Sequence, residues 1–168
     1  YEISYRTQLD WGLRSDGASF DARLVGGHLI DYLSKADRTA RTLQTNNSGN
    51  NTQDRVNVQF NWRDGPFGLS TQTRFYGSRI KEQDPTLFWA DPNLNNIPSI
   101  SYTDITASYK FAPPLGGEYE AYVTVANLFD KEPPLIPSAG QPGQNYPTNV
   151  ALYDIFGRTL TVGLRARF

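Results

Sequence analysis

The ten residues Thr159-Leu-Thr-Val-Gly-Leu-Arg-Ala-Arg-Phe168 alternate polar and apolar side chains without interruption. Every even position is apolar, and every odd position is either polar or glycine. Successive side chains of a β-strand point to opposite faces, so a period of two residues is typical of a strand. This segment therefore predicts a strand with one apolar face and one polar face.

Six segments upstream show the same alternation, for example Val56, Val58, Phe60 and Trp62 with polar residues between them. Together with the last segment, they predict seven antiparallel strands over residues 3–14, 18–33, 54–64, 67–79, 101–112, 118–127 and 158–168. Gly and Pro interrupt every stretch that approaches the 3.6-residue period of a helix. We therefore expect an all-β chain.

The connections between the predicted strands alternate in length. The short ones are residues 15–17, 64–66 and 113–117, and the long ones are residues 34–53, 80–100 and 128–157. The strands exceed the five or six residues that are common in globular sheets and match the roughly 9–11 residues with which a tilted strand crosses a bilayer. Outer-membrane barrels combine such strands with short turns on one side and long loops on the other.

Aromatic residues mark the strand ends next to the short turns and the chain terminus, and each has the parity of its strand's apolar face. They are Trp11, Phe20, Trp62, Phe67, Phe111, Tyr119 and Phe168. An aromatic ring suits the interface between hydrocarbon and water, because its flat body is apolar and its edge tolerates water. We therefore interpret these residues as a membrane girdle.

A soluble β-sandwich or lipocalin-like barrel also has one apolar and one polar face. It gives no reason, however, for aromatic side chains along a single rim. The polar faces carry charges such as Arg23, Arg63 and Asp104, and Arg or Lys facing lipid would cost about 2–4 kcal/mol each at the midplane. We therefore predict a transmembrane antiparallel β-barrel whose polar face lines a wet lumen or a polar plug.

Seven strands are an odd number, below the usual minimum of about eight for a closed barrel. Sheet edges left open in hydrocarbon would cost several kcal/mol for each unpaired backbone group. We therefore expect either a piece of a larger barrel or one protomer of a barrel shared among chains. The chain begins at Tyr1 without a start Met or a signal peptide, which favours the first expectation.

Composition excludes several functional classes. The 16 basic and 17 acidic residues leave a net charge of −1, which gives no electrostatic basis for binding nucleic acid. There is no Cys, and His28 is the only His, so we expect no thiol chemistry, no metal site, no catalytic triad and no cofactor. No run approaches the 18 or so apolar residues of a membrane-spanning helix. We do not expect an enzyme.

Two motifs suggest a family. The first is Ala126-Asn-Leu-Phe-Asp-Lys-Glu-Pro-Pro134, and the second is Tyr153-Asp-Ile-Phe-Gly-Arg158, which runs directly into the last strand and its terminal aromatic residue. Tyr102-Thr-Asp104 at the start of a strand also fits. These segments resemble the end of the barrel in TonB-dependent outer-membrane receptors.

The resemblance implies that residues 1–168 are the C-terminal portion of a barrel of about 22 strands, with the plug domain and the TonB box outside this chain. It implies active uptake of a scarce, bulky ligand (a siderophore, a cobalamin, a glycan or a peptide) across the outer membrane of a Gram-negative bacterium. The implied partners are outer-membrane lipids, TonB and the barrel-assembly machinery, which would read Phe168 as an assembly signal. A passive porin or channel without a plug, and a soluble carbohydrate-binding β-sheet protein, are the alternatives.

In this family, ligand contacts come from the plug, the lumen wall and the outer loops. The resemblance therefore makes the loop residues Phe88, Trp89, Tyr146 and Tyr153 candidates for stacking on a ring or a sugar, with packing among themselves as the alternative. On the lumen wall, Arg6, Arg55, Arg74 and Arg165 are candidates for holding an anionic ligand or for pairing with acids of the plug. We expect Asn127 and Asp130 to bind local backbone where a strand ends.

Overall fold

A computed structural model describes residues 1–13, 17–35, 37–40, 42–45, 47, 51–83, 95–112, 116–136 and 148–167. Its long strands are β1 (Glu2–Leu9), β2 (Ala18–His28), β5 (Asp54–Asp64), β6 (Phe67–Tyr76), β9 (Ile100–Phe111), β10 (Glu118–Ala126) and β11 (Thr159–Arg167). Four strands of two residues each are β3 (Leu33–Ser34), β4 (Leu43–Gln44), β7 (Arg79–Ile80) and β8 (Asn96–Ile97).

The long strands form one antiparallel sheet of seven in the order β1-β2-β5-β6-β9-β10-β11, so strands that follow one another along the chain are neighbours in space. This confirms the predicted all-β class and the seven antiparallel strands. Within the described part of the chain the sheet is open, with β1 and β11 at its two edges. The short strands form two separate ladders, β3 with β4 and β7 with β8. β4 and β8 lie inside predicted loops, whereas β3 and β7 begin at Leu33 and Arg79, the last residues of two predicted strands.

Three strands end earlier than predicted. β1 pairs with β2 only as far as Leu9, and beyond it the backbone N–H of Leu13 donates to the carboxylate of Asp64. The pairing of β2 with β5 ends at His28. Further along, Leu33 and Ser34 form β3 and pair with β4. After Tyr76, Gly77 still donates to the carbonyl of Asp54 at 2.9 Å, and Arg79 and Ile80 then pair with β8.

The strand register places the predicted apolar side chains on one face. Phe20 lies opposite Trp62, and Ala107 and Val162 both lie opposite Val123. The registers run without interruption, so the period of two keeps each apolar set on the same side. The polar residues between them share the other face.

No second layer of the described chain covers the apolar face. Leu160, Val162 and Leu164 are 67%, 70% and 62% exposed. Among the described residues, the buried apolar side chains are Ala18, Ile97, Tyr102 and Tyr153, too few for a soluble core. No helix in the described ranges is both long and apolar enough to cross a membrane.

Candidate functional site

The polar face carries four ion pairs between neighbouring strands. They are Arg6–Asp21 (3.2 Å), Arg23–Glu2 (2.9 Å), Arg74–Asp104 (2.9 Å) and Arg165–Glu120 (3.1 Å). Exposed pairs of this kind contribute up to about 1 kcal/mol each. Three of the four arginines proposed to hold a ligand or to pair with plug acids therefore already have an acidic partner in this chain.

At the end of the sheet that carries the long loops, Arg and Tyr side chains share the polar face. Arg55 lies opposite Tyr76, and Arg74 lies opposite Tyr102. Arg79 in β7 and Tyr153 in the last loop join them. We call these six residues the loop-end cluster.

The aromatic side chains connect the cluster. The rings of Tyr76 and Tyr153 meet edge to face, with 6.0 Å between their centroids. The guanidinium carbon of Arg79 lies 5.2 Å from the centroid of the Tyr153 ring, within the range of a cation–π contact. Tyr102 lies near both Tyr76 and Tyr153. The sheet and two loops therefore meet at one set of side chains.

Arg79 is the most unusual member, because its side chain is only 1% exposed. No described residue meets the distance and angle of a full hydrogen bond to any of its three guanidinium nitrogens, although the Tyr153 side chain lies close to them. Burial lowers the pKa of Arg79 from its ordinary value, and nearby Tyr153 opposes that shift. Burial likewise raises the pKa of the Tyr153 hydroxyl.

Other polar atoms of the cluster are also buried without a partner in the described ranges. They are the hydroxyls of Tyr102 and Tyr153, Nε of Arg74 and the adjacent Oδ1 of Asn57. Most buried polar side-chain atoms in folded proteins are hydrogen-bonded, so this concentration is exceptional. Arg55 lies at the exposed side of the cluster, where its Nε donates to Thr52 at 2.8 Å.

The sequence identified half of this cluster. Arg55, Arg74 and Tyr153, which were proposed as ligand contacts, lie at the same end of the polar face. Phe88, Trp89 and Tyr146, proposed with them, lie outside the described residues. Sequence reasoning missed Tyr76, Arg79 and Tyr102. The parity of Tyr76 and Tyr102 marked them as residues of the polar face. Arg79 was missed because its parity in the predicted strand 67–79 is that of the apolar face, whereas the chain leaves that strand after Tyr76.

Aromatic side chains of the proposed girdle lie at the opposite end of the sheet. Phe20, Trp62, Phe67, Phe111 and Tyr119 are on the apolar face, Trp11 follows β1 and is 62% exposed, and Phe168 lies outside the described residues. The rings of Phe67 and Tyr109 are 4.8 Å apart, and those of Phe111 and Tyr119 are 5.6 Å apart. Tyr109, which the sequence analysis did not include, connects the row, since its ring also stacks on Phe111 at 6.3 Å.

The turn after β10 confirms the prediction of local backbone contacts for Asn127, whereas Asp130 binds the backbone of a residue far along the chain. The Asn127 side chain donates to the carbonyl of Lys131 at 3.0 Å and accepts from its N–H at 2.9 Å. Asp130 accepts from the backbone N–H of Arg158 at 2.8 Å, which ties this turn to the start of β11. These two side chains therefore hold the backbone of the turn and of the segment before β11 in place.

Comparisons of the chain with protein-family models, curated proteins and solved structures found no match. Within the described ranges, no three His, Asp or Glu side chains are grouped so that they could hold a metal ion.

Proposed function

We propose that this chain forms part of the transmembrane β-barrel of a TonB-dependent outer-membrane receptor, an active transporter for a scarce and bulky ligand. The observation that carries the proposal is the uncovered apolar face of the seven-stranded sheet. Contiguous apolar surface of more than a few hundred Å² is rare on soluble monomers and marks contact with a partner or a membrane. Hydrocarbon is the environment in which such a face needs no further protein layer.

The dimensions of the sheet agree with a bilayer. Its long strands have 8 to 12 residues, against roughly 9–11 for a tilted strand that crosses the hydrocarbon. The row of rings follows one margin of the apolar face, as expected where lipid headgroups begin. The ion-paired polar face then lines the lumen.

Barrel closure follows from the open edges. In hydrocarbon, the unpaired N–H and C=O groups of β1 and β11 would each cost several kcal/mol. We therefore propose that further strands continue the sheet on both sides. The figure of about 22 strands, the plug and the TonB contact rest on the resemblance of the two motifs near the end of the chain.

The experiment is an uptake assay in a Gram-negative strain that carries the gene, its deletion, or the gene without tonB. The probes are ⁵⁵Fe-loaded siderophores, ⁵⁷Co-cobalamin, labelled oligosaccharides and labelled oligopeptides. We expect one probe class to accumulate in the first strain alone. Uptake that persists without tonB, together with swelling of proteoliposomes in simple sugars, would support the passive porin instead.

The soluble alternative has its own outcome. A carbohydrate-binding sheet would remain in the supernatant after cell lysis without detergent and would bind the oligosaccharide there. We expect the chain in the membrane pellet, resistant to extraction at alkaline pH.

A further inference from the structure

Arg79 is a buried cation without a described counter-charge. A charged group that leaves water loses a large solvation free energy unless an opposite charge and hydrogen bonds replace its contacts with water. The charged group that acts on Arg79 within the described part of the chain is Arg55, which has the same sign. The face of the Tyr153 ring offsets only part of such a loss, because a cation–π contact restores little of the solvation of a guanidinium.

The described acids near this end of the sheet bind partners other than Arg79. Asp104 binds Arg74 at 2.9 Å, and Asp54 binds His28 at 2.6 Å. Asp154, beside Tyr102, accepts from the backbone N–H of Phe156 at 2.9 Å. None of these described carboxylates forms an ion pair with Arg79.

The donors of the cluster suit one kind of occupant. A guanidinium presents five N–H groups in a planar fork that matches the oxygens of a carboxylate or a phosphate. The buried hydroxyls of Tyr102 and Tyr153 supply two further O–H groups, of which the first lies near the backbone of Asp154 and the second near Arg79. A metal cation would be repelled, and a neutral sugar would leave the charge of Arg79 uncompensated.

The position of the cluster identifies where the anion comes from. Its strand residues lie on the polar face, opposite the side chains that we assign to lipid, so the phosphates of membrane lipids do not face it. Arg55 is exposed and Arg79 is buried, so the positive charge runs from the solvent inward.

We infer that the loop-end cluster is an oxyanion-binding site in which Arg79 is the deepest contact and a carboxylate or phosphate group is the ligand. The existence of the site rests on its own geometry. If the proposed function holds, the anion is a group of the transported ligand. The transported ligand is then an anionic one.

The test is calorimetric titration of the full-length receptor, purified in detergent, with inorganic phosphate and separately with acetate. We expect binding of at least one anion, a loss of about tenfold or more in affinity for Arg79→Gln, and a smaller loss for Arg79→Lys, which keeps the charge but not the fork. Tyr153→Phe, which keeps the ring under Arg79, should weaken binding severalfold. Arg23→Gln, on the same polar face but paired with Glu2, is the matched control and should bind like the native protein.

Thermal unfolding separates this role from a purely structural one. At the same anion concentration, the anion should raise the Tm of the native protein more than that of Arg79→Gln. Without anion, Arg79→Gln should be at least as stable as the native protein, because the substitution removes an uncompensated buried charge. A purely structural Arg79 would instead make the variant less stable at every anion concentration.

No binding of either anion by the native protein, or equal binding by Arg79→Gln, would overturn the inference. Uptake that depends on TonB would survive that result, so the proposed function would stand. Conversely, if the protein binds the anion but shows no uptake, the inferred site would stand and the proposed transport function would fail.

Discussion

Asn127 adopts a left-handed backbone conformation, with φ of 50°, directly after the last residue of β10. Among residues with a side chain, Asn and Asp tolerate this region best, because their short polar groups bond nearby backbone. The Asn127 side chain is fully buried and satisfies both the N–H and the C=O of Lys131. Its own N–H donates to Asp104 at 2.9 Å, so this one residue joins the turn to β9.

Two substitutions at Asn127 separate its hydrogen bonds from its backbone conformation. Asn127→Gly keeps the left-handed region accessible but leaves two backbone groups without a partner, which should cost about 1–3 kcal/mol. Asn127→Ala loses the same bonds and adds about 1 kcal/mol of backbone strain. Urea unfolding followed by tryptophan emission measures both. An alanine variant as stable as the glycine variant would contradict this account.

At the scale of the strand, the decisive property is which face a residue occupies. Val162 and Thr161 are neighbours in β11 and point to opposite faces, where they lie opposite Val123 and Thr124. The proposal places hydrocarbon against the first and the aqueous lumen against the second. In a soluble sheet, both faces of this edge strand would meet water.

The pair Val162→Arg and Thr161→Arg tests that difference with the same new side chain. Val162→Arg should lower the free energy of unfolding in lipid vesicles by about 2–4 kcal/mol, since the charge enters hydrocarbon near the midplane. Thr161→Arg should change it by about 0.5 kcal/mol or less, as is usual for a solvated surface position. Equal and small effects of both substitutions would argue against a lipid-facing surface.

At the scale of the whole molecule, the alternation of side chains was sufficient to predict the sheet, its seven strands and the composition of its faces. Register was not predictable, because each strand has the same period of two. Gly163 shows what register adds: it lies opposite Tyr122, whose ring occupies the space where a side chain at Gly163 would begin. The loop-end cluster could not be predicted without tertiary structure, because Arg79 lies in β7, beyond the end of β6, and Tyr153 lies in the loop before β11.

The two open edges of the sheet lead to a prediction about the isolated chain. β11 pairs with β10 on one side only, whereas β5 has β2 and β6 on its two sides. An edge that carries unpaired backbone groups is a template for another strand, and detergent offers those groups no hydrogen bonds.

In detergent micelles, the 168-residue chain should therefore self-associate as its concentration rises, as measured by light scattering after gel filtration. Amides of β11 should exchange with deuterium faster than those of β5 in the fraction that stays monomeric. A stable monomer with equal protection in both strands would mean that the sheet needs no neighbour, and the larger barrel would lose its physical basis.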